Sequence, residues 1–274
     1  MPKVKINDIQ TYYEIHGEGT PLLLLMGWGG SIEDWPKPII DLLSRHFKTI
    51  IFDNRGTGRT SKPKTGYSIK QMADDAAGLL DALKIPKAHV FGISMGGMLA
   101  QEFGISHSDK IIGLVIAAAH CGSPHNIQRT DEAAAIMEKM INPPKDLSEL
   151  ELLKEYVTLM YTSEYLSEHW DEMASAQIKK YPTPGWVRRK QWDAIIEFSS
   201  YDMLPSIVSP TLVIHGSKDN WVLPGNAKII ADRIPDSRLK MYEKSGHALV
   251  TEQAEEAFND VIEFYKSIEE EQNA

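Results

Sequence analysis

Five short apolar runs, each closed by a polar or glycine-rich break, constrain the folding of this chain more than any other feature. They cover residues 22–26, 49–52, 89–93, 111–119 and 211–214. Apolar residues that run on without alternation belong to strands buried on both faces, so the runs predict a parallel sheet. Parallel strands need crossovers, and the segments between the runs have helical periodicity. Met72, Ala76, Leu79, Leu80 and Leu83 share one face of a helix over roughly 68–83. Phe258, Val261, Ile262, Tyr265 and Ile268 do the same near the C-terminus. Residues 4–6 and 9–15 read as an antiparallel hairpin, and 239–242 as a last strand-like stretch. The expected fold is an open α/β sheet covered by helices on both sides.

One segment breaks the alternation. Between 123 and 201 there is no strand pattern, and four helical stretches follow one another, punctuated by Pro143-Pro144 and Pro182-Thr183-Pro184. A block of helices between two strands of one sheet must lie over its edge. Residues 1–122 and 202–274 are therefore expected to form the core, and 123–201 a helical lid that selects substrate rather than performing chemistry.

The chemistry-bearing residues lie at strand ends. Gly92-Ile93-Ser94-Met95-Gly96 sits between an apolar run and a helical face that begins at Met98, Leu99 and Phe103. A serine on such a turn is held in strained geometry, beside a helix N-terminus that offers unpaired N–H groups. Its hydroxyl needs a base, and His247 in Gly246-His247-Ala248 follows the last strand-like stretch. The acid partner should end another strand. Asp219 is the only carboxylate between the 211–214 run and Pro224. Ser94, Asp219 and His247 also stand in the chain order Ser…Asp…His.

These segments together resemble the α/β-hydrolase superfamily over essentially the whole length. Gly27-Trp28-Gly29-Gly30 resembles its oxyanion loop, 53–60 its turn after the fourth strand, 92–97 its nucleophile elbow and Gly246-His247 its histidine loop. The subfamily look is that of carboxylesterases, 3-oxoadipate enol-lactonases and polyketide methylesterases. The resemblance implies an eight-stranded, mostly parallel sheet with a helical cap and no cofactor or metal. It also implies an oxyanion hole from the N–H groups of Met95 and Trp28. Family members usually carry histidine before the loop's first glycine. Met26 stands there, so the hydrogen bonds supporting the loop must differ.

Other residues receive blander readings. Asp53 and Arg55 are expected to organise the turn 54–60. His120, Cys121 and His125 fit no zinc spacing and should line the pocket mouth. Trp28, His120, Met137, Met160, Trp221, Val222 and Leu249, with Val250, are the candidate pocket walls. Only Lys218 is a basic neighbour of the three catalytic candidates, so the pocket is expected to be compact and uncharged and to prefer neutral esters to anionic lactones, unless a lid residue such as Arg188 or Arg189 reverses this.

Composition bounds the rest. With 29 Lys and Arg against 38 Asp and Glu, the formal charge is −9, which disfavours nucleic acid as a partner. Part of that excess is the 269–271 glutamate run, read as a solvated helix end. The single cysteine permits no intramolecular disulfide, and the first residues show no apolar signal segment, so a cytoplasmic location away from membranes is expected. The expected function is hydrolysis of a small carboxylic ester through an acyl-enzyme. The alternatives are lactone hydrolysis, perhydrolysis or C–C bond cleavage on the same triad, and a ligand-sensing receptor of the same fold.

Overall fold

The computed structural model describes residues 2–176 and 179–273. The strands are β1 (Lys3–Ile6), β2 (Ile9–His16), β3 (Pro21–Leu25), β4 (Lys48–Phe52), β5 (Ala88–Ile93), β6 (Ile111–Ala117), β7 (Thr211–Gly216) and β8 (Ser237–Tyr242). They form one eight-stranded sheet in the order β1-β2-β4-β3-β5-β6-β7-β8. β1 and β2 pair antiparallel, β2 joins β4 antiparallel, and all later pairings are parallel. The sequence run at 111–119 overshoots its strand by two residues. Ala118 takes a positive φ of 46°, which turns the chain out of the sheet although its side chain is apolar and buried.

The helices are α1 (Lys37–Leu43), α2 (Ile69–Ala82), α3 (Met95–Ser106), α4 (Asp131–Ile141), α5 (Glu149–Met160), α6 (Ser163–Ala176), α7 (Gly185–Glu197), α8 (Gly225–Arg233), α9 (Leu249–Glu252) and α10 (Ala254–Asn273). Strand alternation explains how one apolar run serves two layers. Leu23 and Leu25 enter the core under α2, α3 and α8, while Leu22 and Leu24 enter the one under α1 and α10. All four are fully buried, at about 1.5–3 kcal/mol of transfer free energy each.

Helices α4 to α7 form a cap inserted between β6 and β7. Local signals start several of its helices. Thr130 caps α4, and Ser148 with Glu151 forms a capping box on α5. Among the described residues, no helix is long and apolar enough to cross a membrane.

The turn after β4 is tied differently from the sequence expectation. Asp53 organises it, accepting from the N–H groups of Ile32 (2.9 Å) and Arg59 (2.7 Å) and from Arg59 Nε (3.0 Å). Arg55 instead turns away to Asp75 and Asp8, at 2.7 Å from each, and so ties α2 to the β1–β2 hairpin.

Candidate active site

Ser94 separates β5 from α3 with φ 57° and ψ −120°, a sparsely populated conformation for a residue with a Cβ. The surrounding glycines make room for this turn. A Cβ on Gly92 would lie 2.0 Å from the Gly96 carbonyl oxygen, and one on Gly96 would lie 2.0 Å from that of Leu25. No side chain fits at either position, which is the physical content of the elbow's two glycines. The strain presents Ser94 Oγ above the sheet at the start of α3.

His247 Nε2 lies 2.9 Å from Ser94 Oγ, and His247 Nδ1 lies 2.7 Å from Asp219 Oδ2. Asp219, fully buried, also accepts from the N–H groups of Trp221 and Val222, both at 2.8 Å, through Oδ1. His215 at the end of β7 adds a further contact. Its Nε2 donates to the Val222 carbonyl (2.8 Å) and lies 3.0 Å from Asp219 Oδ2. Burial by itself would raise the Asp219 pKa. The charge of His247 and the hydrogen bonds from His215 and His247 outweigh it and hold the carboxyl well below the usual carboxylate range. With Nδ1–H donated to that carboxylate, Nε2 is the nitrogen free to take a proton from Ser94.

The loop after β3 lies against the serine, where a Cβ on Gly27 would come within 3.3 Å of Ser94 Cβ. Among the described residues, the backbone N–H groups of Trp28 and Met95 have no acceptor. The support missing at Met26 comes from the cap. Met26 packs its side chain over Gly30, while Gln191 on α7 accepts the Gly29 N–H at 2.9 Å and donates to the Arg55 carbonyl at 3.3 Å. The Trp28 indole donates to the Arg188 carbonyl, also on α7, at 2.7 Å. The cap holds the histidine loop as well. Ala248 N–H donates to the Met160 carbonyl (2.8 Å), and Glu252 accepts from Thr162 and from Gly246 N–H. Helices α5 and α7 thus bond to the two loops flanking Ser94.

Aromatic rings pack beside the catalytic histidine. Trp221 stacks on His247 with centroids 5.1 Å apart, and Trp28 meets Trp221 and Trp192 edge-on at 6.2 and 5.8 Å. Met137, Val222, Tyr156 and Met160 pack into the same cluster. Trp28, Met137, Met160, Trp221 and Val222, all expected at the pocket, are thus brought together in one cluster, whereas Leu249 and Val250 lie outside it. Both point into the core beside α10, because the short helix α9 turns their side chains beneath the histidine loop.

His120 is buried rather than at a mouth. Its Nδ1 accepts the Gly122 N–H at 3.1 Å, and its pKa is pushed down to about 4 by burial and then by the charges of Arg129 and His247. Cys121 is a core residue, and His125 lies flat on Tyr201 with centroids 3.8 Å apart. Among the described residues, no three His, Cys, Asp or Glu side chains group to hold a metal ion. Lys218 turns away to Glu164, at 2.9 Å. An open groove of about 900 Å³ beside it, lined by Tyr161, Trp170 and Asn220 among others, includes none of Ser94, Asp219 and His247. Sequence reasoning missed Tyr156, Gln191, Trp192 and His215. Only His215, four residues before Asp219 on the same strand end, carried a local signal.

A serine, a histidine and a buried carboxylate stand in hydrogen-bonded series at a helix start, the arrangement of a nucleophile with its base and the base's orienting acid. The alpha/beta hydrolase fold family matches residues 20–254, and the chain belongs to it as a hydrolase. RutD of Azorhizobium caulinodans, named for carbamate hydrolysis, is 27% identical over 96% of this chain and 97% of its own length. BpoC of Mycobacterium tuberculosis, named as a non-heme bromoperoxidase, is 27% identical over 95% of this chain and 99% of its own. Among solved structures, the enol-lactonase from Burkholderia xenovorans LB400 superposes with a TM-score of 0.85 at 24% identity, covering 97% of this chain and all of that one.

Proposed function

We propose that the chain is a serine hydrolase that cleaves small carboxylic esters by acyl transfer. The hydrogen-bonded series Ser94–His247–Asp219 carries this reading. Ser94 Oγ attacks the ester carbonyl while His247 Nε2 takes its proton. The oxyanion that forms accepts from the N–H groups of Met95 and Trp28. His247 returns the proton to the leaving alcohol as the C–O bond breaks. Water, deprotonated by His247, then attacks the acyl-serine and releases the acid. Asp219 holds the imidazole in the required tautomer throughout and stabilises its protonated form.

The cap (residues 123–201) acts as a roof, and its aromatic and methionine side chains bound the acyl pocket. A carbamate or lactone carbonyl would enter the same cycle. The full-length relative named for carbamate hydrolysis makes carbamate the competing substrate. The deciding experiment is a panel of 4-nitrophenyl esters, one lactone and one carbamate, assayed with the wild type and Ser94→Ala. Ester hydrolysis that persists in the folded variant would remove the serine from the reaction. A carbamate preferred by a hundredfold would replace the ester reading.

A further inference from the structure

We propose that Arg129 binds a carboxylate in the acyl pocket, so that the preferred substrates are esters or lactones whose acid half carries its own carboxylate. The inference rests on the hydrolase reading above and departs from the expectation of an uncharged pocket.

Arg129 lies in the segment leading into α4, one residue before the Thr130 cap. Its guanidinium covers the Trp192 ring at 4.7 Å from the centroid. Among the described residues it has no hydrogen-bond acceptor and no carboxylate partner. The chain has acids to spare, 38 against 29 bases, and it places them on two other arginines removed from solvent. Arg55 is paired with Asp8 and Asp75, and Arg59 with Asp53. Arg129 alone of these three is enclosed by the protein with only an aromatic face for company. Burial lowers its pKa, as expected of a cation removed from water with no anion supplied.

Its position turns this deficit into a binding site. Trp192, beneath the guanidinium, meets Trp28 edge-on, and Trp28 carries one of the two unpaired N–H groups beside Ser94. The charges of both Arg129 and His247 act on the buried His120 and lower its pKa. A second cation stands nearby. Arg188 lays its methylenes against Gly29, and among the described residues its buried Nε has no partner. A planar fork of N–H donors, with part of its hydration shell already lost, matches a carboxylate in two parallel hydrogen bonds. An uncharged acyl chain would leave that fork unpaired once the pocket is filled.

The test compares 4-nitrophenyl hemiglutarate with 4-nitrophenyl pentanoate, which are similar in length and differ in the terminal carboxylate. The wild type should favour the charged ester at least tenfold in kcat/KM, and the advantage should shrink as salt is added. Arg129→Met should lower the charged-to-neutral ratio tenfold or more, mainly through KM, and Arg129→Lys should restore part of it. Calorimetry of glutarate binding to Ser94→Ala, with and without Arg129→Met, reads the same pocket without turnover. An unchanged ratio, or glutarate binding that ignores Arg129, overturns the proposal. Ser94-dependent turnover of the neutral ester with no gain for the charged one removes the carboxylate pocket and leaves the hydrolase. Arg129-dependent glutarate binding without Ser94-dependent turnover does the reverse.

Discussion

Replacing Gln191 with leucine tests whether the cap takes part in the chemistry. Gln191 is fully buried, and its amide spans the Gly29 N–H and the Arg55 carbonyl, 162 residues away in sequence from the former. Leucine preserves most of the volume and removes both hydrogen bonds. A buried N–H left unpaired costs about 1–3 kcal/mol, and Gly29 relieves that cost by moving the loop toward water or another acceptor. Trp28 is the preceding residue, so its N–H moves too. The upper limit is the loss of one oxyanion donor, about 3–4 kcal/mol or 10²–10³ in rate. We expect kcat for a good ester substrate to fall between about tenfold and a thousandfold, with KM within about threefold. A donor that acts only on the transition state affects kcat in this way. Steady-state kinetics with circular dichroism and a melting curve as folding controls is the assay. A kcat within twofold of wild type, or a loss carried entirely by KM, would refute the reasoning.

Other expected outcomes follow from the same geometry. Ser94→Ala should cut kcat by on the order of 10⁵ while leaving the melting temperature near wild type, because only the attacking oxygen is removed. Asp219→Asn should cost about 10⁴ in kcat by leaving His247 in the wrong tautomer, and a loss under tenfold would assign the role elsewhere. Met137→Ala should shift the chain-length optimum of ester hydrolysis upward by opening a fully buried wall beside Trp221, and an optimum that stays put would remove Met137 from the pocket. Stability should fall as pH is lowered from about 6.5 toward 4. His120 titrates near 4 in the folded protein, below its ordinary value, so in that window the unfolded chain binds a proton that the native one refuses. The full effect is about 3 kcal/mol at roughly 1.4 kcal/mol per pH unit, and buried His89 acts in the same direction. Urea midpoints at pH 7 and 4.5 measure it, and His120→Asn should flatten the dependence.

The parts of this protein legible in its sequence are those in which a short stretch of chain dictates its own geometry. An apolar run such as 22–26 has to be buried on both faces whatever surrounds it, and only a parallel sheet between two helical layers does that. The glycines at 92 and 96 announce close backbone approach, and a serine between them at a strand end has few other conformations open to it. The hairpin at the N-terminus and the strandless block after 122 are local patterns of the same kind. Tertiary structure alone decided which side chains meet across long separations. Leu249 reads as a pocket wall because it follows His247, yet one short helical turn sends it into the core. Gln191, Trp192 and Arg129 lie on cap segments whose spacing shows only that they are helical or connecting. The contacts of Gln191 and Trp192 with the oxyanion loop, and of Arg129 with Trp192, depend on how α4 and α7 dock, and docking is set by side-chain packing summed over both partners, not by any nearby residue. Met26 marks the boundary between the two kinds of information. From the sequence it is evident that the loop lacks its usual support, and only the packing of α7 against Gly29 supplies the replacement.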